Sequence, residues 1–151
     1  MVFIKMKVGE RMNEHFTIRD KLATLSLFGL GVFVDIRGLY WFISPENVIK
    51  ESTFYKALND VMSIWIWGLL LLIFGTCLIL SSLFFGKRSV NNTSDYFMLM
   101  GGLGSAIIHF LMSSAAVYNA LNWLTPAQMI IITAWLGFVG FLGGLGIYGR
   151  R

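Results

Sequence analysis

The chain has 151 residues, of which 56% are hydrophobic and only 13% are charged, whereas soluble domains carry about 25% charged residues. This composition and the mean hydropathy of +0.71 exclude an ordinary soluble protein and predict a single membrane domain over residues 1–151. The formal net charge of +4 comes from basic residues spread over the ends of apolar runs, so we expect no nucleic-acid partner. The single cysteine, Cys77, lies inside an apolar run and leaves no disulfide within the chain.

Four apolar runs follow one another along the chain, each long enough for a helix to cross a hydrocarbon layer of about 30 Å. They predict transmembrane helices, because strands in a lone sheet would leave unpaired backbone groups facing lipid. The fold class is therefore an all-α membrane protein, a bundle of four transmembrane helices in contact with the lipid bilayer. After a tail over residues 1–21, the predicted spans cover about 22–43, 61–85, 97–121 and 127–148.

Capping residues between the runs predict where the helices begin. In the loop over residues 44–60, the S-P-E sequence predicts a short helix over 45–50, and we expect the second span to begin early, near Thr53. The predicted N-terminal caps are, in chain order, Thr17 with Asp20 as a capping box, Ser44 ahead of Pro45, Ser94 or Asp95, and Thr125.

The distribution of Lys and Arg predicts the orientation of the spans. Five basic residues lie in the tail over residues 1–21, two follow the second span, and two end the chain. The loop over 44–60 carries only two, set against three acidic residues, and the loop over 122–126 carries none. All the basic segments fall on one side of a four-span protein, so we predict that both termini are cytoplasmic and that 44–60 is an outer loop.

Two similar pentapeptides, YKALN at residues 55–59 and YNALN at residues 118–122, each precede a predicted span on the outer side. They favour two repeated helical hairpins that arose by duplication. The alternative is coincidence in a chain rich in Ala, Leu and aromatic residues.

Two full charges stand in the first span, within the sequence GVFVDIRGLYWF of residues 31–42. Asp35 and Arg37 are two residues apart and therefore point to nearly opposite faces of a helix, so they do not pair with each other. We expect the long Arg37 side chain to snorkel toward the headgroups, and the short Asp35 side chain to face protein or water.

His109 in the third span lies at a depth similar to that of Asp35 when both are counted from the cytoplasmic side. One interpretation is a proton- or ion-responsive pair that lines a path through the membrane. The alternative, which we favour, is an interhelical hydrogen bond that fixes packing. The predicted spans hold a single histidine, with no cysteine in register, so we expect no metal site.

Small residues are concentrated in the third and fourth spans, where they allow helices to approach closely within one chain or between copies. G-x-x-x-G and related spacings single out five candidate positions for helix packing and self-association. These are Gly102, Ala106, Gly137, Gly140 and Gly144.

The segment SPENVIKESTFYKALNDVMSIWIWGLLLLIFG, with basic residues closing each cytoplasmic end, resembles small polytopic membrane proteins of phages that infect Gram-positive bacteria, among them holins. The resemblance implies a homo-oligomer that permeabilises the cytoplasmic membrane of the host cell during lysis. The alternatives are a non-lytic phage or bacterial membrane protein, either a structural or exclusion factor or an accessory subunit, and a small ion-coupled transporter subunit. The sequence holds no nucleotide loop, HExxH motif or workable carboxylate pair, so we expect neither an enzyme nor a cofactor.

Overall fold

A computed structural model describes residues 18–87, 92–119 and 122–149, and within these ranges the regular structure is helical. Four helices are long and apolar enough to cross a membrane, which confirms the predicted four-span bundle. The helices are α1 (Ile18–Ile43), α2 (Pro45–Glu51), α3 (Thr53–Val61), α4 (Ile64–Phe84), α5 (Thr93–Asn119) and α6 (Leu124–Tyr148), with a short 3₁₀ turn at Phe85–Lys87.

The four long helices pack as two antiparallel hairpins, α1 with α4 and α5 with α6, which are joined through the contact between α4 and α5. Helices α1 and α6 barely touch, so the bundle is open along one side. Ile18 and Tyr148 lie at the same end, which we name the terminal end. The opposite end carries α2 and α3 and is named the loop end.

Buried residues recur at alternating spacings of three and four along the long helices, which is the heptad pattern of left-handed helix packing. This pattern is clearest on α5, where polar and apolar residues share one buried stripe. The stripe consists of Asp95, Met98, Gly102, Ser105, His109, Met112 and Ala116. On α1 it consists of Leu27, Gly31, Val34, Gly38 and Trp41.

Glycines bring α1 and α4 into backbone contact. A Cβ atom on Gly38 would lie 2.8 Å from the carbonyl oxygen of Gly68, and one on Gly68 would lie 2.7 Å from the carbonyl oxygen of Gly38. Side chains cannot approach this closely, so any larger residue at either position would force the two helices apart.

The second span begins at Ile64, so our expectation of a start near Thr53 is wrong. The helix that begins at Thr53 ends at Val61, because Met62 adopts an extended backbone. The side-chain oxygen of Asn59 then accepts a hydrogen bond of 3.1 Å from the Ile64 backbone N–H, which caps α4 across this break. The short helix predicted over 45–50 is present as α2.

Two of the predicted caps are wrong. Helix α6 begins at Leu124, and the side-chain oxygen of Asn122 accepts hydrogen bonds from the backbone N–H groups of Leu124 and Thr125. Asn122 is therefore the capping residue, and Thr125 is one of the residues that it caps. Helix α5 begins at Thr93, so Ser94 and Asp95 lie buried in its first turn.

The other two predicted caps have different outcomes. Ser44 occupies the predicted N-cap position ahead of Pro45, although its side chain forms no capping hydrogen bond. Thr17, which we paired with Asp20 in a capping box, lies outside the described residues.

The two YxALN segments lie in different local structures. Tyr55 is part of the separate helix α3, whereas Tyr118 belongs to the last turn of α5, and residues 120–121 are outside the described ranges. Thr53 connects the two regions by donating a hydrogen bond of 2.8 Å to the carbonyl oxygen of Asn119. Duplication of a hairpin stays a prediction.

Candidate functional site

Asp35 faces α4 within the first hairpin. Its carboxylate accepts a hydrogen bond of 3.4 Å from the Thr76 hydroxyl and lies against the backbone of Gly75. A Cβ atom on residue 75 would overlap the carboxylate, so this glycine provides the space in which Asp35 is half-buried. The other carboxylate oxygen has no hydrogen-bond partner in the described part of the chain.

His109 is fully buried on the heptad stripe of α5, within the second hairpin. Its Nδ1 atom lies 2.9 Å from the carbonyl oxygen of Ser105, one turn earlier in the same helix. The other ring nitrogen, Nε2, and the hydroxyl of Ser105 have no hydrogen-bond partner among the described residues. The buried stripe of α5 therefore holds polar groups that the described side chains do not satisfy.

Asp35 and His109 are not joined by a hydrogen bond. Asp35 is engaged by Thr76 across the α1–α4 interface, and His109 is engaged by the backbone of its own helix. Each group belongs to a different hairpin, so the structure assigns the two polar residues to two separate environments.

Arg37 reaches away from α1 to the facing helix α6. Its Nη1 atom donates to the Met129 sulfur at 3.3 Å, and its guanidinium carbon lies 5.4 Å from the centre of the Phe33 ring. We expected this side chain to extend toward the headgroups. The guanidinium is half-buried between two membrane-spanning helices, with a sulfur and an aromatic ring as its partners, and its depth relative to the headgroups stays a prediction.

The acidic and phenolic groups described at the loop end form no ion pair with Arg37. Burial raises the pKa of Tyr55 above its ordinary value, although Arg37 acts in the opposite direction, so this phenol is neutral at pH 7. The carboxylate of Glu51 accepts a hydrogen bond from the Tyr40 hydroxyl. Among the described residues, no carboxylate contacts the Arg37 guanidinium.

A groove runs along the open side of the bundle between α1 and α6, and we name it the α1–α6 groove. Its part nearer the terminal end has a volume of about 500 Å³ and is lined almost entirely by apolar side chains, including Leu27, Leu30 and Phe138. Its part nearer the loop end, of about 360 Å³, is lined by Phe33, Arg37, Gln128, Ile131 and Ile132. The open side thus carries an apolar trough toward the terminal end and, next along the same two helices, a smaller cavity lined by one cationic side chain.

The five small residues singled out by the sequence lie along the α5–α6 interface. Gly102 and Gly140 meet backbone to backbone, since a Cβ atom on Gly140 would lie 2.7 Å from the Leu103 amide nitrogen. A Cβ atom on Gly137 would lie 3.8 Å from the Ala106 Cβ atom, and one on Gly144 would lie 3.5 Å from a methyl carbon of Leu99, which are ordinary contact distances. Close packing within one chain therefore requires glycine at 102 and 140, and the part of all five positions in self-association stays a prediction.

Sequence reasoning missed the polar contact that joins the two hairpins. The Ser81 hydroxyl donates to the Ser94 carbonyl oxygen at 2.9 Å, and the Ser94 hydroxyl donates to the Ser81 carbonyl oxygen at 2.9 Å. Both residues are buried between α4 and α5. The sequence does place a serine at the same predicted depth on each of the two helices. The spacing within either apolar run, however, does not distinguish these serines from the other small residues.

Within the described ranges, no three His, Cys, Asp or Glu side chains come together in a group that could hold a metal ion. Comparison of the chain with protein-family models, with curated proteins and with solved structures finds no match. The features of the described chain that bear on function are the unsatisfied polar groups buried on α5 and the cation in the open groove.

Proposed function

We propose that this integral membrane protein is holin-like: it self-associates in the cytoplasmic membrane of a bacterial host and permeabilises that membrane during phage lysis, without catalysing a reaction. The observation that carries the proposal is the pair of unsatisfied polar groups on the buried stripe of α5. Ser105 and His109 are fully buried there, and each has a polar atom without a partner in the described chain.

Unsatisfied polar groups are costly inside a bilayer, at several kcal/mol each, because lipid offers no hydrogen bonds in place of water. An oligomer in which α5 turns this stripe toward a water-filled centre satisfies both groups at once. The same rearrangement exposes the apolar faces of α1 and α6 to lipid or to neighbouring copies. The free-energy cost of burying these polar groups in the closed bundle thus favours a change to an oligomer in which water reaches them.

The proposal is tested by inducible expression in bacteria while viability, membrane potential and dye entry are followed over time. We expect the wild-type protein to collapse the potential and admit dye, and we expect the Ser105→Ala, His109→Leu double variant to insert normally but to leak much less. Ser114→Ala is the matched control, because this exposed α5 hydroxyl donates only to the Phe110 carbonyl oxygen one turn before it.

Each other result points to a named alternative. An unchanged potential and normal viability, with the protein present in the membrane, would reject permeabilisation and favour a non-lytic structural, exclusion or accessory protein. A change in the pH inside the cells without dye entry would favour an ion-coupled transporter subunit, provided that the change disappears in the Asp35→Asn and His109→Gln variants.

The proposal also includes an orientation, with both termini cytoplasmic and the loop end outside. We expect a single cysteine at Glu51 to react with an impermeant thiol reagent in intact cells, and one at Ser89 to react only after the cells are opened. Both variants are made in a background without Cys77. Equal labelling of the two positions in intact cells would contradict the four-span topology.

A further inference from the structure

The α1–α6 groove consists of two cavities that follow one another between the same two helices, the larger toward the terminal end and the smaller at Arg37. Phe85 and Met98 also line the larger cavity, and the other lining residues lie along one side of α1 and one side of α6. The stripe on α1 is Ala23, Ser26, Leu27, Leu30, Phe33 and Arg37. The stripe on α6 is Gln128, Ile131, Ile132, Trp135, Phe138, Val139, Leu142, Leu145 and Gly146.

No carboxylate among the described residues contacts the cationic end of this groove. Asp35, the acidic residue nearest in sequence, is turned to Thr76 on α4, and Glu51 is engaged by Tyr40. The guanidinium of Arg37 uses one donor on a thioether sulfur, which is a weak acceptor, and its other donors remain for a stronger one. Within a bilayer an unpaired charge is costly, so the groove favours a ligand that brings a negative charge to Arg37.

We propose that the α1–α6 groove binds a phospholipid of net negative charge, with its phosphate on Arg37 and one acyl chain along the apolar trough toward the terminal end. A guanidinium matches the oxygens of a phosphate group with two parallel hydrogen bonds. Gln128, exposed on the opposite wall, adds an amide donor. Basic pockets between transmembrane helices bind lipid headgroups by this chemistry.

The length of the trough fits one acyl chain. Ala23 and Arg37 lie about 21 Å apart along α1 at ~1.5 Å per residue, and one leaflet of the hydrocarbon core is about 15 Å thick, half of ~30 Å. A chain held beneath a phosphate at Arg37 therefore ends inside the groove. Each buried methylene contributes favourably to binding wherever it fills space that protein side chains leave open.

A lipid fits this groove better than a second copy of the chain does. A second copy would have to bring a carboxylate to the depth of Arg37, and its Asp35 is held by Thr76 on its own α4. The inference does not depend on lytic function, since a lipid can occupy the groove of a closed bundle whether or not the bundle later opens.

The test uses the purified full chain in detergent, titrated with phosphatidylglycerol or phosphatidylcholine, with bound lipid counted by native mass spectrometry. We expect phosphatidylglycerol to bind more tightly, and Arg37→Gln to lower its affinity about tenfold, the loss expected for one charge-assisted contact. Arg37→Lys should keep most of the affinity because it keeps the charge. Lys50→Gln and Lys56→Gln, exposed cations at the loop end, should change nothing.

A second variant tests the acyl chain. Ser26→Trp fills the trough from an exposed position and should weaken phosphatidylglycerol binding, whereas Gly29→Trp, at a position with open space around it, should not. Equal binding of the two lipids, or full affinity in Arg37→Gln, would overturn the proposal. So would competition by inorganic phosphate at equal concentration, or loss of a cross-linked dimer in Arg37→Gln without loss of lipid.

Discussion

The closed interfaces within the two hairpins differ from the open side between α1 and α6 in the size of the residues that face each other. Within the hairpins, glycines such as Gly38, Gly68, Gly102 and Gly140 let backbones touch. Along the open side the walls carry large side chains, among them Phe138 and Trp135, and the helices stay apart. Without a hydrophobic force to join helices in lipid, close packing decides which pairs associate.

This difference explains why the bundle opens on one side. Van der Waals contact and weak polar contacts hold helices together in a bilayer, and both need short distances. Glycines supply these distances at three interfaces, including α4–α5, where a Cβ on Gly101 would lie 2.8 Å from the Phe74 carbonyl oxygen. The fourth interface has large side chains instead, and a ligand can occupy the space between them.

Bulky residues at the closed interfaces give the largest expected effect. Gly68→Leu and Gly140→Leu should each destabilise the fold by about 3 kcal/mol or more, because the obstructing atoms are backbone and cannot rotate away. Gly29→Leu is the control, because a Cβ atom there meets nothing within 4 Å. Thermal unfolding in detergent measures the three variants side by side, and equal melting temperatures would show that glycine contact does not hold the hairpins.

The same comparison separates the five small positions from one another. Gly137→Ala and Gly144→Ala should be tolerated, because a Cβ atom there makes ordinary contact, whereas Gly102→Ala should not. If cross-linked oligomers disappear in Gly137→Ala or Gly144→Ala while the melting temperature is unchanged, those two positions serve self-association. If both measurements are unchanged, they serve neither purpose.

The sequence predicted the four spans well because length and hydropathy are summed over about 20 residues, and single errors cancel. It failed at positions where one side chain decides. The start of α4 depends on Asn59 capping Ile64, and the start of α6 depends on Asn122 in place of Thr125. Several polar residues near each helix start have a spacing that suits a cap, so only the three-dimensional structure shows which residue caps the helix.

The candidate site shows the same limit. Asp35, Arg37 and His109 were identifiable because charged and polar residues in apolar runs are rare. Their partners could not be identified from the sequence, because the depth of a residue along a helix does not determine which neighbouring helix its side chain faces. The structure turns Asp35 to α4 and Arg37 to α6, and it buries His109 on the stripe of α5.

A smaller effect is expected at the polar contact between the hairpins. Ser81→Ala and Ser94→Ala each remove one of two reciprocal hydrogen bonds, so each should cost about 0.6 kcal/mol, the average measured for such contacts in membranes, with up to about 1.7 as the limit. The pair should show coupling, because the two hydroxyl oxygens also lie within hydrogen-bond distance of each other, at 3.3 Å. Ser114→Ala, on the exposed face of α5, should leave the melting temperature unchanged. Additive effects at residues 81 and 94 would contradict a shared contact.

The smallest expected effect is the coupling between Asp35 and His109. Because Asp35 belongs to the α1–α4 hairpin and His109 to the α5–α6 hairpin, Asp35→Asn and His109→Gln should change stability independently. The double variant should then equal the sum of the single variants within about 0.3–0.5 kcal/mol, as for sites without shared partners. Unfolding of all four proteins in one detergent measures this. A coupling near 1 kcal/mol or above would mean that the two groups contact each other. The hydrogen bonds that each group makes within its own hairpin in this structure would then have to rearrange.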